Sequence, residues 1–285
     1  TNKVWLSGAT HIYGRMTVSG ITSSNIKEKG FCYSSVNQMP TVEDGTSKIY
    51  LSNQGEIYNI SKLEPATVYY IRAYVKQTNG NVVYGDPVKA ITRPKGGVTY
   101  HINDGFPSDA LTRVQSAAKD AIDLWNEYTG IHGLHITINY GAQTPTADCS
   151  YGGWMRVGPN ASYQKTGTLL HEMLHAIGVG THATWQNSFL RANTTRALRF
   201  LDNSTTVRLN GDGTHMWPYG VNGAHEDNGT QILYVGNSLL AEALGEDGLA
   251  PTNGQFATPA YVFEQDDQQK YYLKNEGYGL GSKFL

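Results

Sequence analysis

At Arg93-Pro94-Lys95-Gly96-Gly97 the spacing of apolar residues changes, and no other feature of this 285-residue chain constrains its fold as strongly. Before that point, short stretches alternate with period two between turn signals such as Ser19-Gly20, Asp44-Gly45 and Asn79-Gly80. The clearest runs from Val68 to Val75, with Tyr69, Ile71, Ala73 and Val75 on one face and Tyr70, Arg72 and Tyr74 on the other. After it, Leu111, Val114, Ala118, Ala121, Ile122, Trp125 and Tyr128 recur at helical spacing. Ser108 is the expected cap of this helix and Gly130 its end. The expectation is a multidomain chain: an all-β sandwich over 1–93, a linker at 94–97, an α+β domain over 98–250 and a C-terminal β segment over 251–285.

Within the α+β domain, strands are expected at 134–140 and 153–157. Helices are expected at 166–177, near 195–201 and at 238–244. Gln269 to Lys274 suggests strands that begin a further module. Cys32 and Cys149 fall in different domains and are read as free thiols.

Composition excludes several classes of function. Apolar residues make up 39% and charged residues 16%, with a net charge of -2, which is too apolar and too weakly charged for disorder. Lys and Arg form no cluster, so nucleic acid and anionic membrane surfaces are not expected partners. No apolar run reaches the roughly 18 residues of a membrane span, so no membrane insertion is expected. The abundance of Gly and Tyr suits a loop-rich extracellular protein, secreted or held at the cell surface.

Leu63-x-Pro65-x-Thr67-x-Tyr69, together with Gly30-Phe31-Cys32-Tyr33-Ser34 and Tyr84-Gly85-Asp86-Pro87, resembles fibronectin type III domains of the kind found on Bacteroidetes surface proteins. The resemblance covers about 90 residues and implies a fold. It does not imply an activity.

His171-Glu172-Met173-Leu174-His175 carries the chemistry. One helical turn separates the two histidines, so both imidazoles face one side and can bind one ion. Glu172 then lies beside the ion and can act on a water there. His171-Glu172-x-x-His175-x-x-Gly178 followed by His182 resembles the metzincin zinc endopeptidases. The helix ending at Gly130, the segment Thr214-His215-Met216-Trp217-Pro218-Tyr219-Gly220, which is similar to their methionine-containing turn, and the late helix match in order.

The resemblance implies a zinc metalloendopeptidase with Zn2+ on His171, His175 and His182, and with Glu172 as general base. In the family two residues usually intervene between the glycine and the third histidine. Here three intervene, and His215, His225 and Glu242 compete for the third position, the last giving two histidines and a glutamate.

By the same resemblance Met216 floors the site and Tyr219 donates to the oxyanion. The strand near Trp154–Val157 serves as the edge on which an extended peptide pairs. The expected partner is a protein or peptide substrate. Trp185, Trp217 and Tyr219 suit a surface glycan or glycoprotein as well. The rival readings are a zinc hydrolase of a non-protein amide and an adhesion module with a structural or vestigial zinc site.

Overall fold

Burial alternates along Val68–Gln77 (β6), and that alternation builds the first unit: Tyr69, Ile71, Ala73 and Val75 point into a core while Tyr70 and Arg72 face outward. The computed structural model describes residues 2–43, 47–51, 57–185, 192–202, 204–249, 255–256, 261–265 and 271–275. The chain forms two units that part between Pro94 and Lys95. One is all-β and the other α+β, the fold class read from the change in periodicity.

In the first unit, β1 (Asn2–Ser7), β2 (Ile12–Met16) and β5 (Ile57–Ile60) form one sheet. The second has the order β4 (Ser47–Tyr50), β3 (Ile26–Ser34), β6, β7 (Val82–Ile91). This is the strand order of a fibronectin type III-like sandwich. Its core holds Ile12, Ile60, Ile71 and Ile91, and the Phe31 and Tyr58 rings meet with centroids 3.8 Å apart. The Tyr69 hydroxyl oxygen accepts the Glu64 N–H at 2.9 Å, which pins the corner read from Leu63-x-Pro65-x-Thr67-x-Tyr69. Tyr74 departs from the expected alternation. A register shift between Arg72 and Tyr74 against β7 accompanies its burial, and its hydroxyl donates to Glu28 Oε1 at 2.6 Å.

The second unit is built on a mixed sheet. β8 (Gly97–Ile102) and β11 (Trp154–Val157) run parallel to β9 (Ile131–Tyr140), while β10 (Ala147–Ser150) pairs antiparallel with β11 at the edge. So β11 is not the edge strand the sequence suggests. Ala147-Asp148-Cys149-Ser150 has little strand propensity, yet Arg156 on β11 holds Asp148 directly opposite through two bonds of 2.9 and 2.6 Å. β14 (Gln255–Phe256) also joins β9, so the sheet draws on the stretch after residue 250.

Helix α1 (Ser108–Tyr128) crosses from β8 to β9 and buries Val114, Ala118, Ala121 and Trp125. Pro107 stands at its cap position and no side chain caps it, so Ser108 is its first helical residue. Helix α2 (Thr166–Ala176) is buried from Gly167 to Ala176 between the sheet and its neighbours. α3 (Ala192–Leu201) and α4 (Gln231–Glu246) complete the unit. α4 starts seven residues before the expected 238. Its first turns contain Gly236, where a Cβ would collide with the Tyr219 ring, so a poor helix former stands there because the packing demands it. The segment expected to carry C-terminal strands holds β15 (Tyr261–Gln265) paired with β16 (Tyr271–Asn275); Gln269 and Lys270 lie outside the described residues. Cys32 and Cys149 are buried thiols. Among the described residues no helix is long and apolar enough to cross a membrane.

Candidate metal centre

α2 places His171 and His175 on one side with ring centroids 4.8 Å apart. Each Nδ1 lies 2.7 Å from a backbone carbonyl, Gly220 O for His171 and Val179 O for His175. A carbonyl only accepts, so each Nδ1 carries the proton and each Nε2 presents a bare lone pair. Those two Nε2 atoms are 3.2 Å apart. Two lone pairs held that close repel unless a cation stands between them. Ligands at about 2.0–2.1 Å on one tetrahedral Zn2+ lie roughly 3.3 Å from each other. Burial pushes His171 down to about 4, with neighbouring His175 adding to the effect, and burial lowers His175 as well. Both rings are therefore neutral, which is the form that binds metal.

The third histidine is His215. Its ligand atom and those of His171 and His175 all lie within 4.8 Å of one another. It ends the turn that joins the two strands of a short hairpin, β12 (Asn210–Gly211) and β13 (Met216–Trp217).

His182, the residue expected from sequence, turns elsewhere. Its ring packs at a tilt against Tyr151 with centroids 4.8 Å apart, and its Nδ1 is 2.8 Å from Thr184 Oγ1. The loop that carries it is crossed by the segment before His215. Gly180, at φ 67°, is crossed so closely by Thr214 that a Cβ there would collide with the Thr214 carbonyl. That crossing carries His215 to the zinc helix. Glu242 and His225 stand apart from the three histidines. Glu242 Oε2 accepts the Gly130 N–H at 2.8 Å, inside the core. His225 is 83% exposed in its side chain, beside Glu226.

Glu172 is only 4% exposed, and its Oε2 has no hydrogen-bond partner among the described residues. Burial, with Asp148 adding, pushes its carboxyl up to about 8. A divalent cation beside it reverses that preference and restores the carboxylate. The orphaned oxygen, the facing lone pairs and the third histidine therefore fit Zn2+ together. They line a cleft of about 320 Å³ between β10, α2 and the loop at Val221–Gly223, with Tyr163 and Thr168 also in its wall.

The loop after His215 is tightly determined. Met216 is buried, and a cis peptide joins Trp217 to Pro218. Tyr219 and Val221 hold φ of 64° and 52°. Positive φ costs a non-glycine residue about 1–3 kcal/mol and persists where the surroundings over-determine it. Asn237 Nδ2 donates to Tyr219 O and Asn222 Nδ2 to Met216 O, both at 2.9 Å, and His171 holds Gly220 O. Sequence reading misses these supporting groups. Backbone carbonyls leave no side-chain signal, and Asn222 and Asn237 belong to no spaced motif. The Tyr219 hydroxyl donates to Asp202 Oδ1 at 2.7 Å, so it is engaged away from the histidines. Trp185 is buried, with its Nε1–H on Asp212 O, and offers no face for stacking on a sugar.

No family model matches this sequence, and no curated protein does. Solved structures match about a third of it. The FN1–FN3 domains of chicken CNTN1 match at 17% identity and TM-score 0.28, over 32% of this chain and 30% of that one. The fn3 domain of human contactin 1 matches at 18% identity and TM-score 0.29, over 34% and 76%. The sixth fibronectin type III domain of a human fibronectin type III domain containing protein matches at 24% and TM-score 0.27, over 34% and 84%. The assignment of the second unit rests on its own geometry: His171, Glu172 and His175 with His215 as third histidine form the site of a zinc metalloendopeptidase of metzincin type.

Proposed function

We propose that this chain is a secreted or cell-surface endopeptidase that cleaves extended peptide segments, on a surface protein of the Bacteroidetes kind. The observation that carries the reading is Glu172, a buried carboxylate with a partnerless oxygen beside three converging histidines. A purely structural zinc site has no use for such a group, which weighs against an adhesion module.

His171, His175 and His215 would hold Zn2+, which would supply a Lewis acid for the scissile carbonyl and a water of pKa about 7. Glu172 accepts a proton from the attacking water as its oxygen bonds to the carbonyl carbon. It then delivers that proton to the amide nitrogen as the C–N bond breaks. The β10 edge, Ala147–Ser150, lies in the cleft wall and has no strand on its outer side among the described residues. A peptide can pair there through backbone hydrogen bonds.

The phenol suited to the developing oxyanion is Tyr163. It lines the cleft and its hydroxyl makes no hydrogen bond among the described residues, whereas Tyr219 is engaged by Asp202. Loss of one such donor costs about 10²–10³ in kcat. Tyr163→Phe is expected to lower kcat toward that range, and Tyr219→Phe to change it less; equal effects of the two, measured as kcat on one peptide, would remove Tyr163 from this role.

Incubation of the full chain with a diverse peptide library, with and without a chelator, tests the whole reading. Internal cleavage that disappears with chelator and returns with Zn2+ is expected. An inert zinc-loaded chain would overturn it in favour of a non-protein amide or a binding role.

A further inference from the structure

The third histidine differs from the first two in how it is held. His171 and His175 are buried and fixed by backbone carbonyls, whereas the His215 side chain is 40% exposed. A ligand histidine holds its orientation through the hydrogen bond made by its other nitrogen. Around His215 that group is Asp212. Its Oδ1 accepts the N–H of Thr214 at 2.7 Å and of His215 at 2.6 Å, which closes the turn. Its Oδ2 lies 3.5 Å from His215 Nδ1. With Nδ1 toward Asp212, Nε2 is the nitrogen left for an ion. Asp212 is itself anchored, since its N–H donates to His215 O at 3.0 Å and its carbonyl accepts the Trp185 indole at 3.1 Å. The buried Trp185 thereby ties this turn to the segment that follows the zinc helix.

We infer that Asp212 is the positioning residue of the metal centre, a carboxylate that builds the turn with one oxygen and orients His215 toward the metal with the other. The inference rests on the reading of His215 as third ligand. A bound cation raises the acidity of the imidazole Nδ1–H and strengthens its bond to the carboxylate, so the contact tightens as the site fills. The arrangement is a preformed pair of histidines completed by a third on a carboxylate-braced turn.

Zn2+ affinity of the full chain, measured by competition with a chromophoric chelator, tests this together with the visible spectrum of the Co2+-substituted protein. Asparagine keeps an oxygen for the Thr214 and His215 amides but lacks the charge. Asp212→Asn is therefore expected to leave the turn intact and weaken Zn2+ about 10–100-fold, while the Co2+ spectrum remains that of a four-coordinate site. In a His215→Ala background the same change is expected to have no further effect. If Asp212→Asn binds like wild type while Asp212→Ala is weakened, the residue only builds the turn and the inference fails. Equal weakening in both backgrounds also overturns it, because Asp212 then does not act through His215. If His215→Ala itself binds like wild type, it is the ligand assignment that falls.

Discussion

Glu172→Gln is expected to keep its zinc and lose peptide hydrolysis by at least about 10²–10⁴-fold, the usual cost of removing a general base. The amide nearly matches the carboxylate in size, and α2 is buried on every side, so shape complementarity is preserved. None of the three histidines depends on Glu172 for its orientation. His171 and His175 lean on Gly220 and Val179 carbonyls, and His215 stands beside Asp212. What the substitution removes, on the proposed mechanism, is the ability to take a proton from water through the orphaned Oε2. Elemental analysis for zinc, thermal unfolding and kcat on one cleaved peptide are the measurements. Wild-type zinc content with kcat within a few-fold of wild type would show that the proton goes elsewhere.

Most of this arrangement is legible wherever a local period carries it. Tyr69, Ile71, Ala73 and Val75 mark a strand face, and His171 and His175 mark a helix face, because strand and helix repeat over few residues. What escapes is tertiary. β10 reads as a loop, since Ala147-Asp148-Cys149-Ser150 becomes a strand only through its pairing with β11 and the Arg156–Asp148 contact. The first turns of α4 contain Gly236 and Asn237, which oppose a helix locally and are set there by Tyr219 packing and the Tyr219 carbonyl. β11 is taken as the edge strand from the family resemblance, and its outer neighbour β10 carries no local signal that would correct this.

The third ligand is the sharpest such case, and it yields the most discriminating expectation. Proximity along the chain favours His182, seven residues after His175, over His215, forty residues after it. Loop-closure entropy grows only with the logarithm of loop length, so that difference amounts to about 1.5 kcal/mol. A few well-formed hydrogen bonds offset it, and the turn around His215 has them in the two Asp212 Oδ1 bonds and the Trp185 indole bond. The residue that breaks the family spacing, the extra one between Gly178 and His182, falls where Gly180 admits Thr214. Alongside that crossing, His182 packs on Tyr151 and His215 joins His171 and His175. His215→Ala is accordingly expected to weaken Zn2+ by more than about 100-fold, beyond the 10–100-fold of a lost supporting contact. His182→Ala, His225→Ala and Glu242→Ala are expected to bind within a few-fold of wild type, with Glu242→Ala losing stability because Gly130 N–H forfeits its buried acceptor. Zinc titration of the four variants decides the matter: should His182→Ala lose the metal while His215→Ala retains it, the loop closes in solution as the family spacing implies, and the crossing at Gly180 does not govern the site.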